Sequence, residues 1–279
     1  MSAAGSDSGG AAQGRAPLVA DLTTDEHGPA SVVGITSVPD IARAAQSIVD
    51  RLDLLEGIQI LLFDEPTRSQ ILERRHLHRI LAAETWIFGD DFQTTADDES
   101  LTTALRRHLA DVEGLDVPHA NAPAREDGRA IIPDLVLCRS VLATATKHYL
   151  VVELKRPSQP VNVAALRQIE DYALAVADEP RFNQPGTRWD FIVVGCTLSP
   201  QARRRAQQVG RAPGLVYDDG ALTIAARTWS EIIAAAARRL EWLEAALAYR
   251  ATRRSGLAYL RRRYAALLPE AMWAAVPDA

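Results

Sequence analysis

Between Ile131 and Leu198 the chain reads as strand, strand, helix, strand, an order that few architectures accept. Ile131 to Cys138 is rich in β-branched and aliphatic residues, as a strand should be. Ser140 to Lys147 is a short polar connection, and His148 to Lys155 is a second strand of the same kind. Pro157 and Pro160 stop it, and Asn162 can cap a helix running to about Asp178. Trp189 to Leu198 is the most strongly β run of the chain and reads as a central strand. A hairpin followed by a helix and a further strand predicts an α/β domain with a central mixed β-sheet flanked by helices.

Side chains alternate along a strand, so Val151, Glu153 and Lys155 share one face while Leu150, Val152 and Leu154 share the other. The second set is expected to face the core, and the first to be polar. Pairing with the preceding strand can bring Asp134 beside Glu153. Gln168 and Tyr172, four apart, project from one side of the following helix. Two carboxylates that converge repel one another, and a hard divalent cation resolves the conflict. Mg²⁺ is commonly held by one or two carboxylates together with waters and phosphate oxygens. A neighbouring amine can then orient water or stabilise charge at phosphorus. The residue types point to metal-dependent hydrolysis of a phosphodiester.

The sequence Pro133-Asp134, then Glu153-Leu154-Lys155, resembles the signature of the PD-(D/E)xK nuclease superfamily, and Gln168 with Tyr172 resembles the QxxxY element of some of its branches. The resemblance implies a restriction-endonuclease-like core with helical N- and C-terminal extensions. It implies Asp134 and Glu153 as ligands of Mg²⁺ or Mn²⁺ and Lys155 as the group that positions the attacking water. Gln168 and Tyr172 would brace Lys155 or touch the phosphate. A helix opened by Glu65-Pro66 and running to about Ala83, followed by Thr85-Trp86-Ile87-Phe88-Gly89, resembles the start of the nuclease core in Shedu-type antiviral proteins. It is also similar to nuclease-like tails of large ATP-binding proteins. On that resemblance Glu73 would add a further active-site carboxylate. The implied activity is an Mg²⁺-dependent endodeoxyribonuclease acting in antiviral defence, as a homo-oligomer or within a multiprotein defence complex. Two other outcomes fit the same residues: a catalytically inactive module of this fold that binds nucleic acid or a partner protein, and a DNA processing or repair nuclease.

The rest of the chain is read as a linker over residues 1–39, an N-terminal helix over 40–59, the nuclease-like domain over 60–250 and a C-terminal accessory helix over 251–279. Asp40 is a candidate cap of the first helix, and Ile58 to Phe63 a short strand or extended lead-in. Asp97 to Leu109 is expected to pass from polar loop to helix, and Val117 to Gly128 to be loop. Asp219-Gly220 marks a hairpin turn, Thr228-Trp-Ser-Glu231 a capping box, and Leu257 to Leu268 a last helix.

The net charge of −5 argues against a simple basic nucleic-acid binder, but it is unevenly spread. Residues 1–100 hold 7 Lys and Arg against 17 Asp and Glu, a local −10, whereas residues 196–263 hold 13 Arg against 5 Asp and Glu, a local +8. Arg203, Arg204 and Arg205 form one cluster of the basic part and are the candidate nucleic-acid contacts, since a guanidinium fork matches phosphate. The two cysteines, Cys138 and Cys196, sit in apolar strand-like contexts without metal-ligand spacing and are expected to be buried free thiols of a cytoplasmic protein. No apolar run is long enough to span a bilayer, and the N-terminus lacks the pattern of a secretory signal.

Overall fold

A computed structural model of the chain describes residues 37–71, 76–97, 101, 103, 106, 132–141, 146–178, 180–183, 185–270 and 273. Two compact units divide the chain, Met1–Gln46 and Ser47–Ala279. In the first, the helix α1 (Val38–Phe63) begins, with Arg43 ion-paired to Asp40 at 2.8 Å.

The sheet of the second unit is mixed. Its strands are β1 (Gln93–Asp97), β2 (Leu135–Val141), β3 (Thr146–Leu154), β4 (Thr187–Gly195), β5 (Leu215–Asp218) and β6 (Leu222–Thr228), in the spatial order β1-β2-β3-β4-β6-β5. The pairs β1/β2, β2/β3 and β5/β6 are antiparallel, while β3/β4 and β4/β6 are parallel. The helix α4 (Val163–Ala177) carries the chain from β3 across to β4, as a parallel pair requires. Asn162 caps it, accepting from the Ala165 N–H at 2.9 Å.

Both faces of the sheet are covered. On one, Leu135, Leu137, Leu150, Val152, Leu154, Ile192 and Val194 pack against α1, α6 (Trp229–Leu247) and α7 (Arg253–Tyr264). On the other, Val136, Val151, Phe191 and Val193 pack against α4 and α5 (Pro200–Ala206). Val151 is thus fully buried, so the face it shares with Glu153 is a second core rather than the polar face expected of it. A strand inside a parallel sheet covered by helices is apolar on both sides, and the alternation rule then misassigns a face.

Several local expectations are replaced. Ile58 to Phe63 is the end of α1, not a strand. Buried Leu54, Leu55, Ile58, Leu61 and Leu62 continue one helical stripe to the end of that element. The helix expected over Glu65–Ala83 is broken into α2 (Glu65–Arg68) and α3 (His78–Ala83). The edge strand β1 has no counterpart in the sequence reading, which assigns no strand there and begins a polar loop only at Asp97. Gln93-Thr-Thr-Ala-Asp97 has no apolar alternation, and its strand conformation comes from antiparallel pairing with β2. The last helix begins earlier, at Arg253, with Thr252 and Ser255 forming a capping box. It is no accessory: Tyr259, Leu260 and Tyr264 belong to the first core. Glu84 accepts from the Trp86 ring N–H at 2.8 Å, from the Tyr259 hydroxyl at 3.2 Å and from the Tyr264 hydroxyl, tying α7 to the turn after α3. Burial and the Glu84 charge push the Tyr259 phenol up to about 12. The Val117–Gly128 loop lies outside the described residues.

Two glycines let α1 and α7 touch backbone to backbone. A Cβ on Gly57 would lie 2.7 Å from Leu260 Cγ and 3.0 Å from the Gly256 carbonyl oxygen, and one on Gly256 would lie 2.8 Å from Gly57 N. Gly57→Ala is therefore expected to lower the unfolding free energy in urea by about 1–3 kcal/mol through overpacking. The loss comes despite alanine's advantage of roughly 1 kcal/mol in a helix. An unchanged or raised midpoint would show that the two helices can part without cost.

Candidate active site

The site grows from the β2–β3 register. Leu135 pairs with Val152 in the last rung of the ladder, so Asp134, just before β2, lies beside the C-terminal end of β3 that carries Glu153. Pro133 has no N–H to donate, which suits the boundary of a strand. Asp134 Oδ2 accepts from the Leu154 N–H at 2.6 Å, filling the place of a ladder carbonyl. Both carboxylates are buried, Asp134 at 1% exposure and Glu153 at 4%.

Lys155 lies one step past the strand end, where its N–H still bonds the Val194 carbonyl at 2.8 Å. Its ammonium donates to Glu153 Oε1 at 2.9 Å and to Gln168 Oε1 at 3.1 Å. The Gln168 amide nitrogen donates to the same Glu153 oxygen at 2.8 Å and to the Tyr172 hydroxyl at 2.6 Å. One oxygen of Glu153 thus anchors both the ammonium and the amide. Gln168 and Tyr172 reach it from α4, which packs over β4 and β6 beside β3, with Ala165, Ile169, Tyr172 and Ala173 buried against the sheet. Gly195 lets the segment after β3 fold back. A Cβ there would press 2.8 Å from Val161 Cγ2 and lie 3.7 Å from Lys155 Cβ.

Hydrogen bonds therefore bring Glu153, Lys155, Gln168 and Tyr172 together, with Asp134 held next to them by the Leu154 N–H. Glu73 lies outside the described residues. Arg203, Arg204 and Arg205 stand apart from this cluster on α5, the first two exposed. Arg205 is held by Glu170 Oε1 at 2.6 Å, from a residue of α4 two positions from Gln168 and so on another side of that helix. Asp134 and Glu153 offer hard oxygen donors at the C-terminal end of β3, a donor set that fits Mg²⁺ or Mn²⁺. Among the described residues no group of three or more His, Cys, Asp or Glu side chains is placed to hold a metal, so any ion here would rest on this pair. Cys138 and Cys196 are free and buried, and desolvation pushes each thiol up to about 11, which disfavours the nucleophilic thiolate at neutral pH. Among the described residues no helix is long and apolar enough to cross a membrane.

A second polar cluster escaped the sequence reading. Arg139 Nε donates to His148 Nδ1 at 3.0 Å, His148 Nε2 contacts Asp190 Oδ2 at 2.5 Å, and Thr223 Oγ1 donates to Asp190 Oδ1 at 2.5 Å. Burial raises the Asp190 carboxyl, but the hydrogen bonds from His148 and Thr223 and the charge of Arg188 outweigh it and hold it below the ordinary carboxylate range. The signal that could have found it is a lone aspartate in the most apolar run of the chain.

No protein-family model, curated protein or solved structure matches the chain.

The web on Glu153 makes a stability prediction independent of any chemistry. Gln168→Ala removes donors to Glu153 and Tyr172 and the acceptor for Lys155, and is expected to cost about 1–3 kcal/mol in chemical unfolding. Gln168→Glu, which sets a carboxylate against Glu153, should cost more. Equal stability of all three proteins would mean that the amide only decorates the helix surface.

Proposed function

We propose that the chain is a metal-dependent nuclease with a restriction-endonuclease-like core, cleaving phosphodiester bonds of DNA. The observation that carries the reading is the single Glu153 oxygen shared by Lys155 and Gln168, with Asp134, the residue before the facing strand, bonded to the neighbouring Leu154 N–H. A salt bridge kept for stability alone would be an expensive way to fill this volume, since desolvating two charges commonly offsets their attraction.

Asp134 and Glu153 would hold the divalent cation. When bound, the ion supplies Lewis acidity toward the phosphoryl oxygens. The chain's own groups do the rest. The Leu154 N–H fixes the Asp134 carboxylate. Glu153 and Gln168 aim the Lys155 ammonium, which orients the attacking water and offers donors to charge that develops on phosphate oxygens. Tyr172 holds the Gln168 amide. The resemblance to Shedu-type proteins extends the reading to foreign DNA as the target and to a cytoplasmic setting in antiviral defence. The DNA itself would lie against the basic segment, with Arg203 and Arg204 as exposed phosphate contacts on α5.

Purified protein incubated with plasmid and linear DNA is expected to cut in Mg²⁺ or Mn²⁺ and to stop in chelator. Glu153→Ala should abolish cutting. Lys155→Ala should reduce turnover about 10²-fold or more while metal affinity stays, because an ammonium offers no lone pair to a cation. Wild-type rates in either folded variant would refute the assigned roles.

Binding should also report the basic surface. Replacing Arg203 and Arg204 by Ala should flatten the plot of log affinity against log salt by roughly one unit per lost phosphate contact. An unchanged slope would make this part of α5 a solvated face and move the DNA path elsewhere.

A further inference from the structure

The Arg139–His148–Asp190–Thr223 cluster lines a cavity of about 430 Å³ on the sheet face opposite Glu153. The opposition follows from alternation. His148 shares its face with Leu150 and Leu154 of the first core, whereas Glu153 shares its face with Val151 of the second. Beside the polar row on the same face stand Leu150, Ile192 and Ala225, and Phe88, Phe92 and Ile232 complete the apolar part of the lining.

The row crosses the sheet strand by strand. Arg139 of β2 pairs in register with His148 of β3, Asp190 stands on β4, and Thr223 of β6 is its register partner. A guanidinium only donates, so His148 Nδ1 is an acceptor and the ring proton is carried on Nε2 toward Asp190. Asp190 is further engaged by Arg188 Nε at 3.3 Å. Arg227, on the same face of β6 as Thr223 and Ala225, donates to the Pro213 carbonyl at 2.6 Å. Arg139 also sits over the Phe92 ring, 5.0 Å from its centroid.

Three arginines therefore meet two aspartates in the cavity lining, Arg139, Arg188 and Arg227 against Asp190 and Asp218. The aspartates are engaged within the fold. Asp190 takes His148, Thr223 and Arg188, and Asp218 accepts from the Gly220 N–H at 2.8 Å. Each guanidinium carries five donors, and the hydrogen bonds just named engage one apiece. The excess is of cation and of donor, beside an apolar lining with two phenyl rings. That combination selects a ligand with an anionic head and a flat apolar body, and the volume is that of small-molecule sites, about 300–1,000 Å³.

We propose that this cavity binds a small phosphate monoester with an aromatic body, of the size of a nucleoside monophosphate, with the phosphate on Arg188 and Arg227 and the ring against the apolar lining of Phe88, Ile192 and Ile232. The site is independent of the nuclease reading and lies on the other face of the sheet.

Titration calorimetry of the intact chain with AMP, adenosine and inorganic phosphate tests it. AMP is expected to bind at least tenfold more tightly than adenosine or phosphate alone. Arg188→Ala should weaken AMP at least tenfold and leave adenosine unchanged. Ala212→Glu, a substitution at an exposed rim position that does not threaten the fold, should weaken AMP by repelling its phosphate. Glu153→Ala should leave AMP affinity as it is, which separates this cavity from the candidate phosphodiester site. Absence of AMP binding at millimolar concentration, AMP no tighter than phosphate alone, or AMP binding untouched by both Arg188→Ala and Ala212→Glu would each overturn the proposal.

Discussion

The antiparallel register between β2 and β3 is the constraint on which the rest depends. Because the side-chain period of a strand is two, a slip of one residue would exchange the faces of every side chain in the hairpin. The observed register sets Asp134 just beyond the Leu135–Val152 rung, beside the end of β3 that carries Glu153, and pairs Arg139 with His148 four rungs further along. Leu135, Leu137, Leu150 and Val152 fill one core, Val136, Cys138, Tyr149 and Val151 the other, so both cores hold the register in place. Few other single features bear on both polar clusters at once.

The two clusters are solved differently by the same sheet. At the C-terminal end of β3, charge is buried almost completely, and the helix α4 supplies an amide and a phenol that organise it. At the opposite end, on the other face, the polar row is strung between strands and stays open to a cavity. The first arrangement holds its groups rigid at a buried spot. The second leaves guanidinium donors facing space. Stacked rings of Tyr149 and Trp189, with centroids 4.2 Å apart, lie between these ends on the α4 face and stiffen the pair of central strands.

Helices far apart in sequence close the first core. The α1–α7 contact at Gly57 and Gly256 brings the C-terminal helix onto the sheet, and Glu84 gathers Trp86, Tyr259 and Tyr264 beside it. Arg239 of α6 adds a donor to the Ile87 carbonyl at 3.1 Å. The compact unit therefore takes in the second half of α1 and all of α7, and the boundaries at residues 60 and 250 fall inside it.

By itself the sequence determined the elements whose signals are local: the hairpin strands, the Asn162 and Thr228 caps, the Asp219-Gly220 turn and the central β run. It also determined which side chains of β3 share a face, and hence that Asp134, Glu153, Lys155, Gln168 and Tyr172 could meet. Tertiary structure alone decided that the face of Glu153 is a second core, because only the placement of α4 buries Val151. It decided that Gln93–Asp97 is a strand, because the partner β2 supplies the hydrogen bonds that its polar composition does not advertise. It decided that His148 and Asp190, 42 residues apart, share a hydrogen bond. Capping and alternation act over a few residues and leave a trace in the string of letters. Parallel strand pairing and helix docking act between distant segments and leave almost none.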